Sequence, residues 1–485
     1  MSGDTPAAGD GSGGSGAGSG NESVLASYFG FAEHDTDLTT EVLAGLTTFL
    51  TMSYIVVVNP SILTGIPGEK PGIVIDGYAP GEVEQMLAVT TILAASVAIF
   101  VMAFYANRPF AQAPGLGLNA FFAFTVIGAL GIPWETALAA VVVEGVIFIA
   151  LTAVGAREYI IELFPAPVKF SVGTGIGVFL AMIGLQEMRL VVDDGATLVT
   201  LGSVASDPVA IMSVLGLFLT LALYVKGTRG AILLGILATT AGGYLVEAAG
   251  LVGGGTLTAN IPDAQYDISP LFGAFLDGFQ NVDAFAFALV VFTFFFVDFF
   301  DTAGTLTGVS QVAGFLDEEG NLPDIDRPLM ADAIGTTVGG IIGTSTVTTF
   351  VESATGVQEG GRTGMTALVV GVLFLGALAV VPLAAAVPLY ASHIALVVVA
   401  LLMLQNVVKV QWDDLTHAIP AGLTVIVMPL TFSIAYGIAA GIVSYPVVKA
   451  ARGERKDVRL GQWALAAAFV VYFAVRTGGV LQTVA

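Results

Sequence analysis

No cysteine occurs among the 485 residues, and only three histidines and 16 lysines and arginines do. Without cysteine there are no disulfides and no thiolate metal sites, and three scattered histidines make no zinc pattern. Charge is scarce too: 11% of residues are charged and 55% hydrophobic, where soluble domains carry about 25% charged residues. That balance identifies an integral membrane protein. Its long unbroken apolar runs suit helices crossing a ~30 Å hydrocarbon core and exclude a barrel of ~10-residue alternating segments. The formal net charge of −22 disfavours a nucleic-acid partner. Acids crowd the tail and loops, as in Asp193-Asp194, Asp317-Glu318-Glu319 and Asp413-Asp414. Solubility alone is the plain reading; the sharper one is a high-salt organism, whose ionic strength makes a dense acidic surface tolerable.

The fold class expected is an all-α polytopic membrane protein. Residues 1–23, rich in Gly, Ser and Asp, are expected to be disordered. They lack the basic and apolar regions of a signal peptide, so the first span, about 41–63, is expected to be retained. Further spans fall near 85–105, 111–130, 135–154, 168–185, 207–225, 230–250, 284–306, 328–343, 344–357, 364–386, 390–408, 418–434 and 435–450, fourteen in all. With the N-terminus in the cytoplasm, inside loops hold Arg108, Arg157, Lys169, Lys226, Arg229, Arg327, Arg362 and Lys409, against Lys70 and Arg189 outside. This satisfies the positive-inside rule. The apolar tail 462–475 is left over, either as an interfacial helix or as an extra short span.

Two spans are defective as helices. The third, AQAPGLGLNAFFAF from Ala111, opens with Pro114, Gly115 and Gly117, and the tenth, GTSTVTTFVESATG from Gly343, opens with a β-branched run. Each reads as a short extended piece followed by a half-helix. Irregular backbone at membrane depth survives only where protein or a cavity satisfies it, and interrupted spans in corresponding positions of two halves point to a transport site. The two are seven spans apart, an odd number, so the halves would form an inverted repeat.

Acids inside apolar runs mark the chemistry. Leaving Asp298 aside, Phe292–Phe300 contains only Phe, Val and Thr, and hydrocarbon solvates a carboxylate poorly. Asp298 and Asp301, spaced i, i+3, share a helix face with Thr302 and Thr305, and Asp298 is expected to meet substrate or the coupling ion. Glu352 is expected at the start of a half-helix whose free N–H groups form a polar site. Carboxylate and donors together suit a flat heterocycle with N–H and C=O edges. Gly117 would let such a ligand approach the backbone, and Asn119 offers both donor and acceptor. Asp332 is expected to orient neighbours, relay a proton or cap a helix. Glu144, in the fourth span, carries no assignment.

VDFFDTAGTLTGV (297–309), ADAIGTTVGG (331–340), TSTVTTFVESATGV (344–357), LTTFLTMSYIVVVNP (46–60) and APGLGLNAFF (113–122) resemble the nucleobase–ascorbate transporter superfamily. The resemblance is strongest to its AzgA-like branch of adenine–guanine–hypoxanthine permeases and covers about residues 35–450. It implies two inverted seven-span repeats, with spans one to four and eight to eleven forming a core and the others a gate. The expected organisation is then an acidic tail (1–34), core (35–155), gate (156–251), linker (252–283), core (284–388), gate (389–451), and a basic loop with an apolar segment (452–485). The resemblance also implies substrate binding by Asp298, Glu352, the Ser353 amide, Gly117, Asn119 and Thr302. Asp301 and Asp332 would serve as proton relay or structural acids. Asp298, where uracil and xanthine branches tend to carry Glu, favours purines.

The function expected is import of a purine base by cation symport with elevator-like movement in the plasma membrane. No cofactor is expected, and the coupling ion is H⁺ or Na⁺. The alternative keeps the fold and changes the cargo to uracil, xanthine or an organic anion; two site acids with no basic partner argue against an anion. An intramembrane aspartyl protease using Asp298 and Asp332 lacks the required loop motif, since GLGLN has Asn119 where Asp is needed, so no enzyme activity is expected. A homodimer through the gate domains is compatible with this reading but not selected by it.

Overall fold

The computed structural model describes residues 24–155, 164–280, 283–317 and 322–477. The expected disorder of 1–23, the loop charge of Arg157 and the acids Glu318 and Glu319 lie outside the described residues. Among those described, ten helices are long and apolar enough to cross a membrane. They correspond to ten of the fourteen expected spans. The other four are shorter for visible reasons. Asp326–Ile342 stops at Gly343, whose φ of +97° and whose closeness to Leu271 exclude a Cβ. Leu415–Leu430 carries Pro420 and Pro429 within 16 residues. The remaining two are the interrupted segments.

Helix starts use the sequence's surplus of small polar and acidic residues. Asp37 accepts from the amides of Thr39 and Thr40, Asp207 from Val209, Asp283 from Ala286, and Asp414 from Thr416. Each satisfies an amide that a helix start leaves open. Part of the acidity thus has a local structural use. These bonds hold the carboxyls of Asp37 and Asp414 below the usual range. Asp194 does the same for a turn, accepting from Ala196 and Thr197 at 2.8 Å each. It closes a hairpin, Val191–Asp194 with Leu198–Leu201, in a stretch whose paired acids read as loop charge in the sequence.

The interrupted segments are built as expected, each an extended piece followed by helix. Gln112–Pro114 (β1) precedes Leu116–Ala120, which continues as a π-helical stretch, Phe121–Ala129. Val347–Thr349, the last strand (β4, after β2 and β3 of the hairpin), precedes the six-residue helix Ser353–Gln358. β1 and β4 pair antiparallel, Gln112 opposite Thr349 and Pro114 opposite Val347. Flanking bonds from Gly115 to Thr346 O (3.0 Å) and from Phe350 to Ala111 O (2.9 Å) lengthen the ladder. Strands this short are not stable alone; here each supplies the backbone partners that the other lacks in an apolar interior.

Helices pack around this crossing in two groups. Leu38–Met52 and Pro80–Val101 both pack on Gly364–Ala377, while Pro80–Val101 and Trp134–Ala153 both pack on Asp326–Ile342. Trp134–Ala153 also packs on Ala284–Ala313. Elsewhere, Ala166–Glu187 packs on Ile394–Met403, Leu415–Leu430 and Ile434–Ala451. Pro208–Val225 packs on Ala231–Ala248. The apolar tail forms a helix, Leu460–Thr477, against Ile434–Ala451, with the Phe469 ring edge-on to Phe292 at 5.8 Å.

Candidate functional site

Asp332 is the hub of the strand crossing. It lies in the second turn of Asp326–Ile342, fully buried, and its carboxyl reaches out of the helix rather than capping it. Its Oδ1 accepts from Thr302 Oγ1 at 2.9 Å, Gln112 Nε2 at 3.2 Å and Thr349 Oγ1 at 3.4 Å. Thr302 also bonds Thr348 Oγ1 at 2.6 Å. One carboxylate oxygen therefore joins β1, β4 and the helix Ala284–Ala313. Thr302, expected at the substrate, is fully buried and engaged in this joint.

Asn119 and Ser353 are likewise fastened to the strands. Asn119 Oδ1 accepts from Ser345, and its Nδ2 donates to Pro114 O at 3.5 Å. Ser353 Oγ accepts from the Ala111 amide at 2.9 Å. The free N–H groups expected near Glu352 are occupied: the amides of Ser353, Ala354 and Thr355 donate to the carbonyls of Phe350, Val351 and Glu352. A tight turn leading into a six-residue helix consumes them. Gly117 is half-buried, and a Cβ there would lie 2.6 Å from Ile176 Cγ2 on the helix Ala166–Glu187. Glycine here lets the two groups of helices meet.

The acids divide into two sets. Asp298 is fully buried; its Oδ2 accepts from Thr336 Oγ1 at 3.4 Å, and the Glu144 carboxyl on Trp134–Ala153 is a charged neighbour of it. Asp301, one turn on, is half-buried and has Glu352 as its charged neighbour. Glu352, also half-buried, accepts from Tyr54 Oη at 2.7 Å. Tyr224, from the other helix group, stands close enough to interact with both Tyr54 and Glu352. The structure thus brings Asp301 to Glu352 and turns Asp298 toward Glu144.

Sequence reasoning missed Tyr54, Tyr224, Glu144, Gln112 and Ile176. Tyr54 was legible in part, as a hydroxyl inside SYIVVV; Tyr224 and Ile176 lie in ordinary apolar helices and carry no signal. Lys70, counted among the outside loops, is buried and donates to Ser61 O. Burial pushes its ammonium below the usual lysine range, while the charges of Glu187 and Glu84 pull it back up.

A polytopic helical bundle with paired half-strands at its centre, ringed by carboxyl groups, has the architecture of a membrane transporter. Two solved structures share it. The transmembrane domain of a cyanobacterial bicarbonate transporter, BicA, superimposes with a TM-score of 0.56 at 14% identity, covering 84% of this chain and 97% of that one. The transporter SLC26A9 gives 0.55 at 9% identity, covering 87% and 66%. The chain belongs to the permease family of nucleobase–ascorbate transporters, whose sequence profile matches residues 39–440. It is 41% identical to a putative permease of Methanocaldococcus jannaschii, over 93% of this chain and 98% of that one. It is 38% identical both to the adenine permease AdeQ of Escherichia coli (93% and 96% covered) and to the guanine/hypoxanthine permease PbuG of Bacillus subtilis (93% and 99%). It is a transporter rather than an enzyme.

Proposed function

We propose that this chain imports purine nucleobases by cation symport, with its N-terminus in the cytoplasm and an elevator-like movement of a core against a gate. Fourteen spans in two inverted seven-span repeats suit the antiparallel pairing of β1 with β4, because equivalent segments of inverted halves run in opposite directions. The two packing groups described above suit a core of spans one to four and eight to eleven with a gate of the others. The gate helices are our proposed surface for a homodimer. The acidic loops suit a high-salt habitat.

The observation that carries the proposal is the half-buried pair of Asp301 and Glu352 beside the strand crossing, with Tyr54 holding Glu352. Two carboxylates offer acceptors to ring N–H groups and repel an anionic cargo. We assign ring recognition to these two residues, and to Gly117 the close approach of Ile176 that brings the two helix groups together. Asp332, Thr302, Asn119 and Ser353 would keep the strands in register. Asp298, the acid first expected at the ring, is sealed one turn away and takes a supporting role. Discrimination would rest on polar edges, because an unpaired buried donor or acceptor costs about 1–3 kcal/mol.

Tracer uptake of hypoxanthine, adenine, guanine and uracil into proteoliposomes, under imposed H⁺ or Na⁺ gradients, tests the reading. Saturable purine accumulation that is lost in Asp301→Asn and Glu352→Gln supports it. No saturable uptake of any purine by folded protein overturns it.

A further inference from the structure

A groove of about 450 Å³ on the apolar outer surface lies apart from the site described above. It runs between Ile434–Ala451 and the tail helix Leu460–Thr477. Ala439 and Ala440 leave the space, and Val443, Val447, Val470 and Phe473 wall it. Ser444 is the one hydroxyl along it, and that group donates to Gly441 O at 3.1 Å, inside its own helix. Val447 and Val470 are each more than half exposed. From Ala439 to Val448 the groove follows its helix for about 13 Å, at 1.5 Å per residue. That is close to half of a ~30 Å hydrocarbon core, the depth of one leaflet.

The end of the groove at Val448 is one turn from a loop of unusual charge. Five of the chain's 16 lysines and arginines fall within Lys449–Arg459, in a protein whose net charge is −22. Two of the five are spent locally. Lys449 bonds Glu454 Oε2 at 2.6 Å, and Arg452 pairs with Asp414 and with Glu454 Oε1 at 3.0 Å. Arg455 and Lys456 are exposed and have no carboxylate partner among the described residues. Loop 452–459 joins the two helices that wall the groove, so free positive charge stands at the membrane face where the groove ends. On the orientation proposed above this is the cytoplasmic face. Clustered Lys and Arg immediately beside a spanning helix attract anionic lipid headgroups.

We propose that groove and loop together bind one anionic phospholipid, its acyl chain along Val443, Val447 and Val470 and its phosphate against Arg455 and Lys456. The site is independent of what the protein carries. An acyl chain gains little by exchanging the bilayer for an equally apolar groove, so the headgroup charge decides which lipid stays. A protein partner would have to bring an apolar ridge and separate counter-charges; a lipid brings chain and phosphate in one molecule. The tail helix gives the site a consequence. Its Phe473 packs on Tyr436 with ring centroids 5.5 Å apart, and its Phe469 meets Phe292 of Ala284–Ala313 at 5.8 Å. A lipid seated between the tail helix and Ile434–Ala451 therefore supports a contact that joins the two helix groups.

The test is lipid retention by the purified full chain in detergent, read by native mass spectrometry. The probes are phosphatidylglycerol and phosphatidylcholine with the same acyl chains. Wild type is expected to keep one phosphatidylglycerol and to favour it about thirtyfold, the effect of two cations beside an anionic headgroup. Arg455→Gln combined with Lys456→Gln changes two exposed side chains, so it should melt as wild type does and lose the preference. Ala440→Phe fills the groove and should lose the retained lipid. Glycerol phosphate, which has the charge without the chain, should not compete. Equal retention of the two lipids by wild type overturns the proposal, as does an undiminished preference in the double variant. Displacement by glycerol phosphate overturns it too, by reducing the site to an anion-binding loop. A dimer that Ala440→Phe turns into a monomer, with lipid retention intact, would assign the groove to a second copy of the chain instead.

Discussion

Asp298 and Asp301 are one helical turn apart, in the same apolar run, and the fold treats them oppositely. Asp298 is sealed among Thr336, Glu144 and the aromatic side chains of its own helix; Asp301 reaches a half-open place shared with Glu352 and the two tyrosines. The same division separates Asp332, enclosed by three donors, from Glu352, which has one. An acid inside a membrane protein is therefore not a site by virtue of its depth. What separates the two sets is whether the carboxyl is fully enclosed, as Asp298 and Asp332 are, or partly exposed, as Asp301 and Glu352 are.

The largest effect is expected at the enclosed hub. Asp332→Ala leaves Thr302, Gln112 and Thr349 short of an acceptor in a dry interior, at about 1–3 kcal/mol each. Loss of the monodisperse, cooperatively melting protein in detergent is the expected result; a stable Asp332→Ala protein that merely transports poorly would erase the distinction between the two sets.

Next come the open acids. Asp301→Asn and Glu352→Gln are each expected to lower purine kcat/KM about 10–100-fold, the loss of one charge-assisted bond, with little change in melting temperature. Destabilisation by either that matched Asp332→Ala would place it among the enclosed acids. Tyr54→Phe should have a milder effect, about tenfold in uptake, because it frees Glu352 without removing it. Isothermal titration with a purine would show whether that loss is in binding.

The smallest effect sharpens the contrast with ordinary surface acids. Asp414 caps Leu415–Leu430 through Thr416 and pairs with Arg452 at 2.5 Å. Its folded-state carboxyl titrates below the unfolded value, so its stabilising contribution is complete above about pH 4 and is lost as pH falls through the lower, folded value. Asp414→Asn should melt slightly below wild type at neutral pH and converge with it in acid. Melting curves between pH 3 and 7 check this.

Much of the architecture was legible in the sequence. The two interrupted segments were visible because Pro114 and Gly117 spoil one helix and the run Thr344–Thr349 spoils the other; that they pair with each other was not. The hairpin at 191–201 was missed because Asp193 and Asp194 read as loop charge, and only Asp194's bonds to Ala196 and Thr197 reveal a turn. Asp332 looked like a cap because it lies near a helix start; which way its carboxyl points depends on Gln112 and Thr349, more than 200 and fewer than 20 residues away respectively.

The sequence by itself determined the membrane habit, most of the spans and the short list of intramembrane acids, because hydropathy, helix breakers and the rarity of buried charge are local properties of the chain. Which acids are spent and which stay open was decided only in three dimensions. Neighbours such as Tyr54 for Glu352 and Glu144 for Asp298 come from segments 298 and 154 positions away, and such contacts depend on ångström distances that no local pattern encodes.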